Sequence, residues 1–417
     1  MPRAGLVVSS CAMKWQRLPG FRDFYPDDMA RRRAIERAWH DAAQAAGFSE
    51  FDGPVLEPLE LYTAKSGEEI VRQLYAFEDQ GGRRVAMRPE MTPTLARMVA
   101  ARAGALPKPL KWYCVQQFFR YERPQRGRGR EFFQWNVDVV GSSEPAADAE
   151  AIFVALDGLA RLGVGPEHVE LRVSDRRVLS RLLDHLEVAA AQRSEVLHWL
   201  DKIERDRRAR PELQRLLGES AAAQLFAWCE HYPREQAPEL EPILTACADF
   251  GLEPYVRLDL RVVRGLAYYT GPVWEIFARD LALRAVAGGG RYDELVSTLG
   301  GPSLPALGFG MGDMVLAELL AALDREPPVP PAVDTVVIPI GDAMAPIARQ
   351  LVARLRRQGT ATEMPFGRAR LGKALKAASR RGARRAVLVG GDEWAEGKVR
   401  IKELETGREE SVPLEAL

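Results

Sequence analysis

Apolar residues first recur at helical spacing just after Gly20-Phe-Arg-Asp-Phe-Tyr-Pro. Ile35, Ala38, Trp39, Ala42 and Ala46 fall on one face, and Gly47 closes the helix. A short strand follows over 48–52 and leads to Gly53-Pro54; Pro54 cannot donate to a ladder, so it must leave the strand or end it. Further short strands are predicted at 74–78, 84–87, 111–119 and 132–140. Helices are predicted over 92–103 and over 147–162, where Ile152, Leu156 and Leu159 share a face. Few of these strands are joined by long helices, so the sheet is expected to be antiparallel.

From about 176 to 248 the pattern turns charged and helical, with Lys202 to Arg210 reading KIERDRRAR. That stretch is expected to be an inserted helical module, because strand signals return at 255–263, 272–278 and 283–287. Glycines cluster at 288–290, at 300–301 and in Gly308-Phe-Gly-Met-Gly312, ahead of a helix over 313–323. The 288–290 run reads either as a bulged turn or, beside Arg291, as a substrate contact. Pro327-Pro-Val-Pro-Pro331 is a stiff linker and the clearest domain boundary. Beyond it a buried strand (335–340), a helix (343–358) and a second strand (386–389) alternate, as in a small α/β domain. The fold class is therefore α+β, an antiparallel sheet with flanking helices and a helical insertion, followed by a C-terminal α/β domain.

At 417 residues the chain is long enough for two or three cores. Apolar residues make up 47% and charged residues 28%, as in a soluble globular protein. The 58 basic residues balance 58 acidic ones, which excludes a uniformly basic nucleic-acid binder but not a local basic surface. One such surface is suggested between Arg349 and Arg385, where twelve Arg and Lys face a single acid, Glu363. Either a solvated helix face or RNA binding would explain it. Cys11, Cys114, Cys229 and Cys247 form no C-x-x-C pair, so structural zinc and a disulfide framework are not expected. The five histidines, His40, His168, His185, His198 and His231, show no metal-ligand spacing, and no metal site is assigned. No apolar stretch approaches the roughly 20 residues of a membrane span. A cytoplasmic protein is expected, and Met13 is a second candidate start.

The chemistry concentrates in Phe119-Arg-Tyr-Glu-Arg-Pro-Gln-Arg-Gly-Arg-Gly-Arg-Glu-Phe-Phe-Gln134, continued by Trp-Asn-Val-Asp138. Two strands flank a loop of arginine and glycine. Glycines let the backbone approach a ligand, arginines suit carboxylate or phosphate, and Phe132 or Phe133 offers a face for a base. From the residues alone, an exposed basic hairpin without a ligand remains open. The segment resembles the second signature motif of class II aminoacyl-tRNA synthetases, in its histidyl form F-R-x-E-R-P-Q-x-G-R. Three other segments agree in order: Met87-Arg-Pro-Glu-Met-Thr92, Arg264-Gly-Leu-Ala-Tyr-Tyr-Thr270 and Ala287-Gly-Gly-Gly-Arg-Tyr-Asp293. The 30–54 segment resembles the first class II motif, which builds a dimer interface.

The resemblance implies a histidine–tRNA ligase: a catalytic domain over 13–325 and an anticodon-binding domain over 332–417. It implies ATP with Mg2+ as substrate and no tightly bound cofactor, tRNA(His) and histidine as partners, a homodimer, and no membrane. By the same resemblance Arg120 holds the amino-acid carboxylate and the α-phosphate, Glu122 accepts from the adenine amino group, and Phe132 stacks on the ring. Glu90, Thr92 and Gln134 take the ammonium, while Asp138 and Tyr269 grip the imidazole, with Tyr268 either pocket or core. Arg264 is implied as the main catalytic cation, and Gln125 and Arg130 as readers of the acceptor end.

Two positions depart from the pattern. The family's aspartate in R-G-L-D-Y-Y-T is Ala267, and the third-motif arginine that holds the γ-phosphate is Val315. They keep open a non-catalytic paralogue acting as a histidine-sensing regulatory subunit of ATP phosphoribosyltransferase. A synthetase for proline, threonine or glycine is the remaining rival, and the R-G-L-x-Y-Y-T element argues against it.

Overall fold

The computed structural model describes residues 15–63, 71–204, 206–263, 268–367 and 370–417. The expectations placed on Cys11, Met13, Arg264, Ala267 and Arg368 lie outside these residues. Two compact units divide at Pro327 and Pro328.

The first unit is organised by the alternation of one strand. In β6 (Glu131–Val140), Trp135, Val137 and Val139 point to one side and Gln134, Asn136 and Asp138 to the other. The helices Pro26–Ala45 and Pro145–Ala160 cover the first side. Trp39 stacks on Trp135 with ring centroids 6.0 Å apart, and both are fully buried. The second helix approaches this closely because position 158 is glycine: a Cβ there would stand 2.6 Å from the Trp135 ring.

Along the chain come β1 (Ser49–Glu50), β2 (Leu56–Pro58), β3 (Ala76–Glu78), β4 (Arg84–Met87) and β5 (Leu110–Phe119), then β6. They are followed by β7 (Val169–Asp175), β8 (Val256–Leu258), β9 (Pro272–Ala278), β10 (Ala287–Arg291) and β11 (Ala306–Gly312). The main sheet runs β1-β5-β6-β11-β10-β9-β7-β8, while β2, β4 and β3 form a small separate sheet. Its six central strands pair antiparallel and only the two edge pairs, β1–β5 and β7–β8, are parallel. The five helices from Arg176–His185 to Glu241–Asp249 form the crossover between parallel β7 and β8, where the helical insertion was expected.

Several elements differ from the sequence reading. The strand expected over 255–263 stops at Leu258, because Asp259 turns the chain by accepting from the Arg261 amide at 3.0 Å. Residues 283–286 are a connection, not a strand, and the glycines at 288–290 are not a bulged turn but the interior of β10. Gly308–Gly312 likewise lies within β11. β7 was not anticipated, although Val169, Leu171 and Val173 alternate and are fully buried.

The second unit is a five-stranded sheet of β12 (Thr335–Pro339), β13 (Thr362–Glu363), β14 (Arg385–Val389), β15 (Lys398–Glu403) and β16 (Glu409–Pro413), ordered β13-β12-β14-β15-β16. Helices Ala345–Arg357 and Leu371–Arg380 supply its apolar faces, giving one buried cluster around Leu351 and Leu355 and another around Ala374 and Ala378. The second helix, β15 and β16 were not read from the sequence.

Candidate active site

The polar side of β6 faces a cavity of about 1070 Å³. It stands at the upper end of the roughly 300–1,000 Å³ usual for small-ligand sites. Among the residues bordering it are Glu90, Thr92, Arg120, Glu122, Gln125, Phe132, Gln134, Tyr268 and Tyr269. The fold thus gathers nine residues of the sequence-predicted site from three separate segments. Arg264 lies outside the described residues.

The strip of cavity wall beside β6 is built from absence of side chains. In β11 the alternation sends Leu307, Phe309 and Met311 into the core and leaves Gly308, Gly310 and Gly312 on the cavity side. A Cβ at Gly308 would stand 2.2 Å from Asp138 Oδ1, and one at Gly310 would stand 2.5 Å from Gln134 Nε2. These glycines are the space that the polar residues of β6 occupy. Gln134 in turn donates to Asn136 Oδ1 at 2.9 Å.

Two tyrosine–carboxylate pairs lie behind this floor. Tyr268 donates to Glu90 Oε2 at 2.7 Å, and Tyr292 donates to Asp138 Oδ1 at 2.5 Å. All four residues are buried. Burial pushes both phenols well above their ordinary range, so they stay protonated donors. Burial also lifts the Asp138 carboxyl to about 7, against the pull of the Tyr292 hydroxyl. Tyr268 and Tyr269 pack with ring centroids 5.1 Å apart, so Tyr268 serves the core and the cavity at once.

The loop that carries Glu90 is held by a buried arginine. Arg88 Nε donates to Gln117 O at 2.9 Å and its Nη1 to Asp52 Oδ1 at 2.9 Å and Gly53 O at 2.8 Å. Arg120 meets the same loop through Pro89 O at 2.9 Å, and its guanidinium lies 5.0 Å from the centre of the Phe132 ring. Glu122 is paired with Arg128 across the hairpin at 2.6 Å. Asp313, at the start of the helix Asp313–Ala322, accepts from the Phe133 amide at 3.0 Å and from Arg22 at 2.8 Å, which ties the hairpin to the chain's N-terminal segment.

The structure places two arginines of the quoted motifs away from the cavity. Arg291 does not face the cavity: strand parity turns it to the helix side, where it binds Asp148 Oδ2 at 3.0 Å and 2.5 Å and the carbonyls of Ser142 and Glu144. Arg130 is not brought into the cavity either. It donates to Glu122 O at 3.1 Å and Pro19 O at 3.4 Å and lies over Tyr121, bracing the hairpin. Sequence reasoning assigned no role to Tyr292 or Asn136, though both stand inside quoted motifs. Alternation along β6 alone would have put Asn136 beside Gln134. Among the described residues, no group of three His, Cys, Asp or Glu is placed to hold a metal by itself.

Comparison with known proteins places the chain in a family. Residues 20–314 match the family model described as histidyl-tRNA synthetase, and residues 334–417 match the anticodon binding domain. A histidine–tRNA ligase of Opitutus terrae is 41% identical, with 96% of each chain covered. One from Haloarcula marismortui is 39% identical, with 95% of each covered. The crystal structure of histidyl-tRNA synthetase from Nostoc sp. PCC 7120 shares the fold, with a TM-score of 0.81 at 23% identity over 97% of this chain and 98% of that one.

Proposed function

The chain belongs to the histidyl-tRNA synthetase family, and from that premise we propose how its residues carry the ATP-dependent joining of histidine to its transfer RNA. The observation that carries the reading is the cavity bordered by buried Glu90 and Tyr268, half-buried Gln134, Arg120 and Phe132, with buried Asp138 on the same side of β6 as Gln134.

Glu90, fixed by Tyr268, accepts from the ammonium of histidine with Thr92 and Gln134. A carboxylate ringed by neutral polar groups is what an ammonium needs on leaving water. Asp138 and Tyr269 grip the imidazole from the other end. Adenine stacks on Phe132 and is read by Glu122, which leaves Arg120 between the histidine carboxylate and the α-phosphate. A carboxylate oxygen attacks the α-phosphorus, and pyrophosphate leaves with the electrons of the broken P–O bond. Arg120 and Arg264 would offset the charge that builds on the phosphoryl oxygens. The ribose hydroxyl of the tRNA end then attacks the acyl carbon, and AMP departs.

Magnesium would arrive with the triphosphate. Gln125 at the hairpin tip is assigned to the acceptor end of the tRNA, with Arg130 positioning that hairpin from below. The unit over 332–417 is assigned to the anticodon arm and the unit over 13–325 to catalysis. We also assign a homodimer through the 30–54 segment and a cytoplasmic location. A single-chain mass by light scattering at micromolar concentration would refute the dimer. The regulatory-subunit reading is not better supported: relatives named as ligases match nearly the full length, and the anticodon-binding unit is present.

The test is histidine-dependent ATP–pyrophosphate exchange on the purified chain, with Glu90→Ala as the control. Exchange that needs histidine and collapses by about a hundredfold or more in the control is expected. Saturable histidine binding without exchange would move the protein to the non-catalytic paralogues.

A further inference from the structure

Pyrophosphate carries most of the negative charge of ATP, and on the adenylation reading above it is the leaving group. A cation must meet it, and position 315 offers only valine. The cations bordering the cavity divide by what they already face. Arg172 and Arg261 stand against Glu170, Glu204 and Asp259, and Arg128 against Glu122. Among the described residues, no carboxylate pairs with Arg120, Lys202 or Arg284.

Arg120 is committed beside Phe132 and Pro89. Lys202 sits on the helical insertion with Nζ 2.9 Å from His198 Nε2. Arg284 is different: it is half-buried in the β9–β10 connection, and its Nη2 donates to Gln125 Oε1 at 3.3 Å. Gln125 and Arg128 close the hairpin tip through two main-chain bonds of 3.0 and 2.9 Å. The same tip leans on the helix Asp313–Ala322, where a Cβ at Gly127 would stand 3.1 Å from Val315 Cγ2 and Arg126 pairs with Glu318 at 2.6 Å. Val315 and Arg284 thus meet one hairpin tip from two different elements.

We infer that Arg284 binds the pyrophosphate end of ATP, supplying from the β9–β10 connection the guanidinium that the helix beginning at Asp313 lacks. A neutral amide holds it in place without cancelling its charge, so that charge is available to a polyanion. Gln125 is then a positioning residue for Arg284 as well as a rim of the cavity.

Steady-state exchange on the full chain tests this with Arg284→Ala and Arg284→Lys. The alanine variant should raise the KM for ATP and for pyrophosphate by about tenfold or more, with the histidine KM within about twofold of wild type. Lysine should restore part of the loss, since it keeps the charge but not the fork. Transfer from preformed, enzyme-bound histidyl-adenylate to tRNA should change far less than the ATP and pyrophosphate constants, because no β- or γ-phosphate remains at that stage and only the Gln125 contact is lost. Unchanged ATP and pyrophosphate constants in Arg284→Ala would overturn the assignment. If the wild type itself shows no exchange, the adenylation reading fails instead. Calorimetric ATP affinity of wild type against Arg284→Ala then still decides the role of Arg284.

Discussion

Asp138 lies under a strand of glycines with one oxygen on the Tyr292 hydroxyl, and burial lifts its carboxyl from 3.8 to about 7. The sign of the consequence follows from linkage. Below about pH 4 the folded and unfolded chains are both protonated there, and burial costs nothing. Between about 4 and 7 the unfolded chain ionises first, so folding loses ground as pH rises, by up to about 4 kcal/mol above pH 7. Asp138→Asn removes that cost and should gain stability over wild type more at pH 8 than at pH 5, as read by denaturant unfolding at each pH. Its effect on function runs the other way. The ionised carboxylate is the stronger acceptor from the imidazole N–H of histidine, so the wild-type histidine KM should fall as pH passes 7. The asparagine variant should keep only the titration of the substrate's own imidazole. Identical pH profiles for the two proteins would remove Asp138 from the histidine site. At this scale the sequence named Glu90 and Gln134, and the fold brings both to the cavity. It said nothing of where Arg291 points, because a motif names a residue without saying which side of its strand it faces.

The strands β10 and β11 show why that side was hidden. Glycine has no side chain to alternate and is a weak strand former, so neither Gly288–Gly290 nor Gly308–Gly312 reads as a strand. Their partners settle the matter, since Gly288 pairs with Glu275 and Gly308 with Asp138 in continuous antiparallel register. The hairpin of β5 and β6 was legible because Trp, Tyr, Phe and Val carry the alternation. Two of the three cavity glycines of β11, Gly308 and Gly310, should respond differently to one methyl group. At Gly308 the new Cβ meets Asp138 Oδ1 at 2.2 Å and Val137 O at 2.7 Å, a buried carboxylate and a fixed carbonyl. Gly308→Ala should cost about 3 kcal/mol or more and abolish histidine binding. At Gly310 the first obstacle is the Gln134 amide, the end of a flexible side chain. Gly310→Ala should fold with a melting temperature within a few degrees of wild type, while its histidine KM rises about tenfold because Gln134 has swung away. Equal melting losses for the two variants would mean that the glycines serve strand pairing and not the floor of the site.

At the scale of the whole molecule, chemistry and recognition are assigned to units with separate cores, and this makes them separable by experiment. The first unit holds every described residue of the adenylation site. In the second, the basic run read from the sequence is partly spent inside the fold: Arg381 pairs with Glu363 at 2.7 Å, Arg384 with Asp334 at 2.5 Å, and Arg356 donates to Thr362 O. Composition could not show this, because pairing depends on β12 and β14 lying side by side. Among the cations that stay exposed is a stripe on the helix Leu371–Arg380, where Lys373, Lys376 and Arg380 recur three and four residues apart on one face, with Arg370 just before it. Such a stripe matches a row of phosphates. Lys373→Glu with Lys376→Glu should therefore raise the KM for tRNA in aminoacylation by about tenfold or more and make its logarithmic salt dependence shallower by about one to two units. Histidine-dependent pyrophosphate exchange should not move, because no tRNA takes part in it. A lost exchange activity would mean that the double variant is misfolded or that the units are coupled. An unchanged tRNA KM with an unchanged salt slope would place the nucleic-acid surface elsewhere on the chain.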